Sequence, residues 1–544
     1  MSRLLVERAP SGPLSGAVVA PHHLAARAGA EVLAEGGNAI EAMIAAAASI
    51  AVVYPHMNGL GGDGFWLLQA PGEPAQAIEA CGYAVAGADP AWYRERGLDT
   101  IPHRGGPAAC TVAGTVAGWE VAHDWSRRHW GGRLPLRRLL ETAHEQAVQG
   151  FAVSTSQFRT LEEKADELRG RASFESAFCP EGRIPAAGTV FRQPDLGAVL
   201  EQLGRAGCGD FYRGEIAATL AAGLGAQGSP LQADDLAGFT ARLVSPLELA
   251  TPVGALLNLP PPTQGIASLL ILGIYQQLLA KSPHPADGTD HVHTLVEATK
   301  AAFRVRGALV TDPDHLPEDP ARYLTGDAIA RLAAEVNPLH AAPWPSPPGG
   351  GDTVWLGAMD AFGNQVSFIQ SLYHEFGSGV VAPGTGIVWQ NRGHSFSLDA
   401  RSLNPLQPGR RPFHTLNPAG ARLLDGRSLV YGTMGGEGQP QTQAAIFSRA
   451  ILHGQDLARA IASPRWLLGR TWGHGTDSLK VEDDLPAGVV AGLRARGHEV
   501  DVVPACNSMM GHAGLLLRDP EGWVHGASDP RCDGAVAGIP ASDH

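Results

Sequence analysis

Ala341-Ala-Pro-Trp-Pro-Ser-Pro-Pro-Gly-Gly-Gly351 runs directly into Asp352-Thr-Val-Trp-Leu-Gly-Ala-Met359. Four prolines followed by three glycines sustain neither helix nor sheet, so the first segment reads as an exposed, mobile linker. The second reads as a strand. Asp360-Ala-Phe-Gly-Asn364, a turn cluster, separates it from Gln365-Val-Ser-Phe-Ile-Gln-Ser371, which predicts a hairpin beginning immediately after the linker. The linker divides residues 1–340, rich in helical patterns, from a strand-rich tail.

Thr353 is the chemical candidate at this junction. A threonine hydroxyl is a poor nucleophile unless a base lies beside it, and an N-terminal threonine solves this with its own α-amine. That amine has an ordinary pKa of roughly 7.7–8.0, suited to work near neutrality. Thr353 would need cleavage after Asp352, and a flexible linker before a strand permits hydroxyl attack on the preceding carbonyl. On this residue alone, a β-branched side chain opening a strand is the plainer alternative.

Upstream, His22 to Glu35 reads as a helix closed by Gly36-Gly37, a pair suited to a left-handed cap. Asn38 supplies an N-cap oxygen and Glu41 completes a capping box for a second helix, Ala39 to Val52, ending before Pro55. That helix is apolar nearly all round and is expected to be buried. Phe65 to Ala70 reads as a buried strand, and further helices are expected near Leu136 to Ala147, Ala217 to Gly225 and His291 to Arg306. Gly59-Leu-Gly61-Gly-Asp-Gly64 matches G-x-G-x-x-G, but the dinucleotide fingerprint needs a strand before it and a helix after it, the reverse of this context. There is no G-x-x-x-x-G-K-[ST] loop and no G-x-S-x-G elbow. His22-His23 lack a second ligand pair at metal spacing, so no metal is expected.

Composition narrows the class. Charged residues are 17% of the 544, below the roughly 25% usual for soluble domains, which suggests much buried surface. The net charge of −13 argues against nucleic acid or a membrane surface as partner. The six scattered cysteines lack a C-x-x-C pair and read as reduced thiols. No apolar stretch is long enough to span a bilayer, and the early charges of the N-terminal segment do not form a signal peptide, so a cytoplasmic location is expected. Length alone suggests three or four domains.

Ordered motifs then give a resemblance. Gly36-Gly37-Asn38-Ala39, Pro55 to Phe65, Pro107 to Gly118, Phe376-Gly-Ser-Gly379, Gly386-Ile-Val-Trp-Gln-Asn391, Pro412 to Pro418, Gly435-Gly436 and Ala527-Ser-Asp-Pro-Arg531 resemble the γ-glutamyltranspeptidase family of N-terminal-nucleophile hydrolases. The likeness runs from about Val18 to Ala537. It implies an α/β (α+β) fold, a four-layer αββα sandwich in which the whole chain is one structural domain. It also implies self-cleavage between Asp352 and Thr353 into a large subunit, 1–352, and a small subunit, 353–544. These form a heterodimer, with pairing of two heterodimers left open. Thr353 falls at the family's nucleophile, Ser371 at the hydroxyl residue beside it, and Gly435 and Gly436 at the glycine pair whose amides bind the oxyanion. No cofactor is implied.

The departures bear on substrate. Where the transpeptidases hold a γ-glutamyl α-carboxylate with an arginine and two serines, this chain has Cys81, His414 and Thr415. Where they hold the α-ammonium with asparagine, glutamine and aspartate, it has Tyr373, Arg392 and Ser395. No carboxylate stands among these substitutes, and an uncompensated buried charge is costly. Arg392 instead offers a bidentate cation suited to a carboxylate; the alternative is pairing with an internal acid such as Asp399. Ser367 to Gly379, Gln390 to Gly393, Ser395 to Asp399 and Arg411 to Pro418 are similar to the family branch containing cephalosporin (glutaryl) acylases and oxamate amidohydrolases. The implied function is a self-processing amidohydrolase for small amides whose acyl part carries a carboxylate. The alternatives are a γ-glutamyl hydrolase or transferase with a rearranged pocket, and a non-catalytic family member, which would remain uncut.

Overall fold

The structure, a computed structural model, describes residues 4–344, 352–469 and 476–541, with only the backbone of Asp352. The stretch 345–351, where most of the predicted linker falls, lies outside the described residues.

The first two helices form where their caps place them. His23–Ala34 ends before Gly36, whose φ of 84° needs a residue without a Cβ. Asn38 Oδ1 accepts the amides of Ile40 and Glu41, the Glu41 carboxylate accepts the Asn38 amide, and the helix Ala39–Val53 begins. Every residue of that helix is buried, as expected for a helix without a polar face. The helices Leu136–Gln149, Glu215–Gly225 and Thr289–Leu309 also lie where the periodicity put them. Asp352–Met359 and Gln365–Tyr373 form the predicted antiparallel hairpin.

This hairpin is central to a sheet ordered Arg242–Val244, Gln76–Ala80, Asp63–Gln69, Gln365–Tyr373, Asp352–Met359, Leu14–Ala20, Ala535–Pro540, Leu5–Glu7. A second sheet runs Val524–Ser528, Ala513–Arg518, Ser428–Thr433, Ala419–Leu423, Gly254–Asn258, Leu247–Thr251. The two join through one bridge, Leu14 with Val524. Three apolar clusters correspond to three interfaces between four layers. Phe65, Leu67, Trp355, Met359 and Ile369 meet Leu257, Leu416, Val430 and Leu516 between the sheets. The first two helices cover the outer face of the first sheet, through Val354, Leu356 and Ala358. Gly265–Lys281, Thr289–Leu309 and Gln439–Phe447 cover the second. The architecture is the expected αββα sandwich.

Among the described residues no helix is long and apolar enough to cross a membrane. All six cysteines are free.

Candidate active site

Strand register assembles one edge of the site. Side chains alternate between faces of a strand, so Thr353 shares the inter-sheet face of Trp355. The pairing shifts between Asp352, opposite Tyr373, and Val354, opposite Gln370. Thr353 therefore stands opposite two residues, Ser371 and Leu372, in a bulge of the kind that re-aims side chains beside functional sites. Ser371 pairs with Asp63, and Gly64 with Ala80, which brings Cys81 level with Asp63. Thr353, Ser371, Asp63 and Cys81 thus form a row across four adjacent strands at one end of the inter-sheet layer. With strands about 4.8 Å apart, Asp63 lies roughly 10 Å from the threonine.

The second sheet supplies the facing wall. The strand Ser428–Thr433 ends and the chain turns through Gly435 and Gly436, with φ of 114° and 51°, into the helix Gln439–Phe447. Among the described residues neither glycine amide donates to another group. Gln264 braces this wall: its Nε2 donates to the carbonyls of Thr415 (2.7 Å) and Gly436 (2.9 Å). Arg306 fixes the brace, donating to Gln264 Oε1 at 2.7 Å and to Glu437 at 2.8 Å.

Arg392 closes the site. It is fully buried, its guanidinium stacks 4.0 Å from the centroid of the Tyr373 ring, and none of its three nitrogens has a hydrogen-bond partner among the described residues. Burial pulls its pKa down to about 10, while Tyr373, Asp63 and Cys81 oppose the shift, so it remains a cation at neutral pH. Asp399, the internal acid considered as its partner, is bound to Arg401 instead, at 2.8 Å. Tyr373 is held at φ 82°, where a non-glycine residue is strained, and its amide donates to Ser371 Oγ at 2.8 Å.

His414 stands beside this cation with its Nε2 3.3 Å from Asp63 Oδ2, a long contact of the sort that tightens in a substrate complex. Burial and then Arg392 depress its pKa to about 4, with Asp63 opposing, so the ring is neutral at pH 7. Asp63 Oδ1 is filled by the amides of Gly82 and Gly114, each at 3.0 Å, and by Gln390 Nε2 at 3.2 Å. The side-chain oxygens of Thr353 and Thr415 are likewise buried without hydrogen-bond partners among the described residues. Each orphaned buried group costs about 1–3 kcal/mol, and native proteins keep few of them. Gathered at one place, they make a site shaped for a polar ligand.

The structure thus brings together Thr353, Ser371, Cys81, Tyr373, Arg392, His414 and Thr415. Ser395 stands apart: its hydroxyl donates to the Arg392 carbonyl (2.9 Å), and it lines an open cleft of about 1070 Å³ together with Arg306, Phe413 and Glu437. Sequence reasoning missed Asp63, Gln264 and Arg306. Asp63 corrects one inference outright: counted only over the replaced positions the pocket had no carboxylate, and the fold supplies one from a neighbouring strand.

Sequence reasoning also missed a buried cluster on the helix Thr289–Leu309. Lys300 Nζ lies 2.7 Å from Glu297 Oε1. Glu297 Oε2 accepts the Ala342 amide (3.0 Å), and Lys300 donates to the Ala342 carbonyl (2.6 Å). His293 and His498 are 2.8 Å apart and stand close enough to Glu297 to share a metal ion. The two rings bond each other and Lys300 balances the charge of Glu297, while Glu297 Oε1 makes no hydrogen bond among the described residues. The cluster's evident work is to anchor the chain ten residues before Asp352.

A four-layer sandwich with a hydroxyl residue opening a central strand at the inter-sheet edge defines the class of N-terminal-nucleophile hydrolases. The chain belongs to the γ-glutamyltranspeptidase family, whose model matches residues 25–539. It is 52% identical over 523 residues to the oxamate amidohydrolase proenzyme of Klebsiella pneumoniae subsp. pneumoniae, spanning 96% of this chain and 98% of that one. It is 39% identical to the glutathione hydrolase-like YwrD proenzyme of Bacillus subtilis, again over 96% and 98%. The crystal structure of cephalosporin acylase from Bacillus halodurans superposes with a TM-score of 0.87 at 30% identity, covering 100% of this chain and 98% of that one. The protein is a hydrolase of this family.

Proposed function

We propose that the protein is a self-processing N-terminal threonine amidohydrolase for small amides whose acyl group carries a carboxylate, of the oxamate or glutaryl kind. Arg392 carries the reading: a buried guanidinium with no hydrogen-bond partner among the described residues is complementary to a carboxylate. The 52% identity to an oxamate amidohydrolase proenzyme points the same way. In processing, Thr353 Oγ attacks the Asp352 carbonyl carbon, the peptide C–N bond breaks, and water hydrolyses the resulting ester. The products are a fragment 1–352 and a fragment 353–544 with a free α-amine, which remain together as a heterodimer.

In turnover that amine takes the Thr353 hydroxyl proton as Oγ attacks the substrate carbonyl. The amides of Gly435 and Gly436 hold the oxyanion, and donors of this kind are each worth about 10²–10³ in rate. The proton passes to the leaving nitrogen, and water then releases the acid and restores the hydroxyl. Ser371 holds the strand end beside the nucleophile through the Tyr373 amide.

A second reading, a γ-glutamyl hydrolase or transferase, is favoured by Asp63, whose Oδ2 could receive an α-ammonium. Turnover of oxamyl, glutaryl and γ-glutamyl amides by the processed protein separates the two, and efficient γ-glutamyl turnover alone overturns the first. Denaturing gels with N-terminal sequencing test the mechanism. Two fragments, the smaller beginning at Thr353, are expected, with a single inactive chain for Thr353→Ala. An intact wild-type chain with full activity refutes it.

A further inference from the structure

The pair formed by Asp63 and His414 is not needed to hold a carboxylate, since Arg392 does that, nor to activate Thr353, which has its own amine. Both side chains are fully buried. Asp63 Oδ1 is saturated by three N–H groups, which leaves Oδ2, an acceptor only, facing His414 Nε2. A neutral imidazole has one N–H and one lone pair, and the partner of one nitrogen decides the character of the other. Nε2 beside a carboxylate carries the hydrogen. Nδ1 is then an acceptor; like Nε2 and Asp63 Oδ2, whose 3.3 Å approach does not reach hydrogen-bond geometry, it is buried without a hydrogen-bond partner among the described residues. The ring is set edge-on against Phe65, with centroids 4.9 Å apart, while backbone hydrogen bonds to Pro262 (2.8 Å) and from Gln264 (3.0 Å) hold residue 414 in place. The acceptor is therefore fixed in orientation as well as in character.

We propose that Asp63 is a positioning residue which fixes His414 as the Nε2–H tautomer, so that His414 Nδ1 accepts an N–H of the scissile amide and selects primary amides. This rests on the amidohydrolase reading above. A substrate with its carboxylate on Arg392 and its carbonyl oxygen toward Gly435 and Gly436 has one polar group left, the amide nitrogen, whose hydrogens need an acceptor. Thr353, Arg392 and the glycine amides all act as donors toward this substrate or attack it. His414 Nδ1 supplies the missing acceptor.

The test compares kcat/KM for oxamate with that for N,N-dimethyloxamate, which lacks the N–H, in processed enzyme. Asp63→Asn keeps an oxygen for the three N–H donors but presents N–H to His414, which reverses the tautomer. The preference for oxamate is expected to fall at least tenfold in Asp63→Asn and in His414→Leu. It is expected to return to within about threefold of wild type in His414→Asn, whose amide oxygen can replace the Nδ1 acceptor. A preference unchanged in folded, processed Asp63→Asn overturns the proposal. Should that variant fail to assemble, the contrast between His414→Leu and His414→Asn decides, and equal preferences in those two overturn it. Arg392→Met is expected to lower turnover of both substrates alike; no effect there refutes the underlying reading instead.

Discussion

Replacing Arg392 by methionine removes the charge while keeping the side-chain bulk of a fully buried site. Among the described residues the guanidinium makes no hydrogen bond that a substrate must break, so a carboxylate docking there gains nearly the whole interaction. Two parallel charge-assisted hydrogen bonds at about 1.5–3 kcal/mol each amount to about 3–6 kcal/mol. At 1.4 kcal/mol per tenfold, kcat/KM for oxamate is expected to fall about 10²- to 10⁴-fold, with fragment formation unaffected. Arg392→Lys retains the charge without the planar fork and is expected to fall between the two. Oxalate, the acid that oxamate hydrolysis would release, gives a readout independent of turnover: at a hundred times its Kd a ligand stabilises the fold by about 2.7 kcal/mol. Oxalate is expected to raise the Tm of the processed wild type and to leave Arg392→Met unmoved. A kcat/KM within about threefold of wild type, or an undiminished oxalate shift, refutes the assignment of Arg392 to the carboxylate.

Lys300→Met removes one partner of an ion pair in which both side chains are under 5% exposed, and leaving Glu297 buried and unpaired is expected to cost about 3–5 kcal/mol. Equilibrium denaturation of the uncut Thr353→Ala chain with and without it measures the loss; a cost below about 1 kcal/mol shows the pair to be idle. For His512, burial depresses the pKa to about 4, so between that value and 6.5 the unfolded chain binds the proton and the folded chain does not. Stability on its account is complete above pH 6.5 and falls as pH drops to about 4, by about 1.4 kcal/mol per unit. His512→Asn in the same uncut background is expected to flatten the decline, and an unchanged slope refutes the neutral buried state.

The readable parts of the sequence are those in which neighbours in the chain act on one another. The capping box at Asn38 and Glu41, the stop at Gly36 and the hairpin turn at Asp360–Asn364 are all decided within five residues. The candidate site is not of this kind. Thr353 could be singled out because its chemistry depends on its own position after a linker. The row of Thr353, Ser371, Asp63 and Cys81 exists only through the register of four strands, and register is fixed by tertiary packing of the inter-sheet face. The glycines before Asp63 show the same limit. A Cβ on Gly61 would meet the Val388 carbonyl oxygen at 2.2 Å, and one on Gly62 that of Ser371 at 2.1 Å. The G-x-G-x-x-G pattern lies between a helix and a strand, and its use here, close approach of this backbone to the strand end beside Thr353, needed the fold.

Asp63 also changes what the substituted pocket means. A comparison of replaced positions treats each as an isolated contact and finds a pocket stripped of carboxylates. In three dimensions the cation Arg392 and the acid Asp63 stand within each other's field. An isolated buried arginine would attract any anion. One with a buried acid nearby is already partly compensated, so an anion is held firmly only where it meets the guanidinium directly and stays clear of the acid. His414, neutral and lying against Asp63, occupies that side. The arrangement therefore favours short acyl groups whose carboxylate reaches Arg392 without crossing toward Asp63, and it would admit an α-ammonium only if His414 gave up its contact.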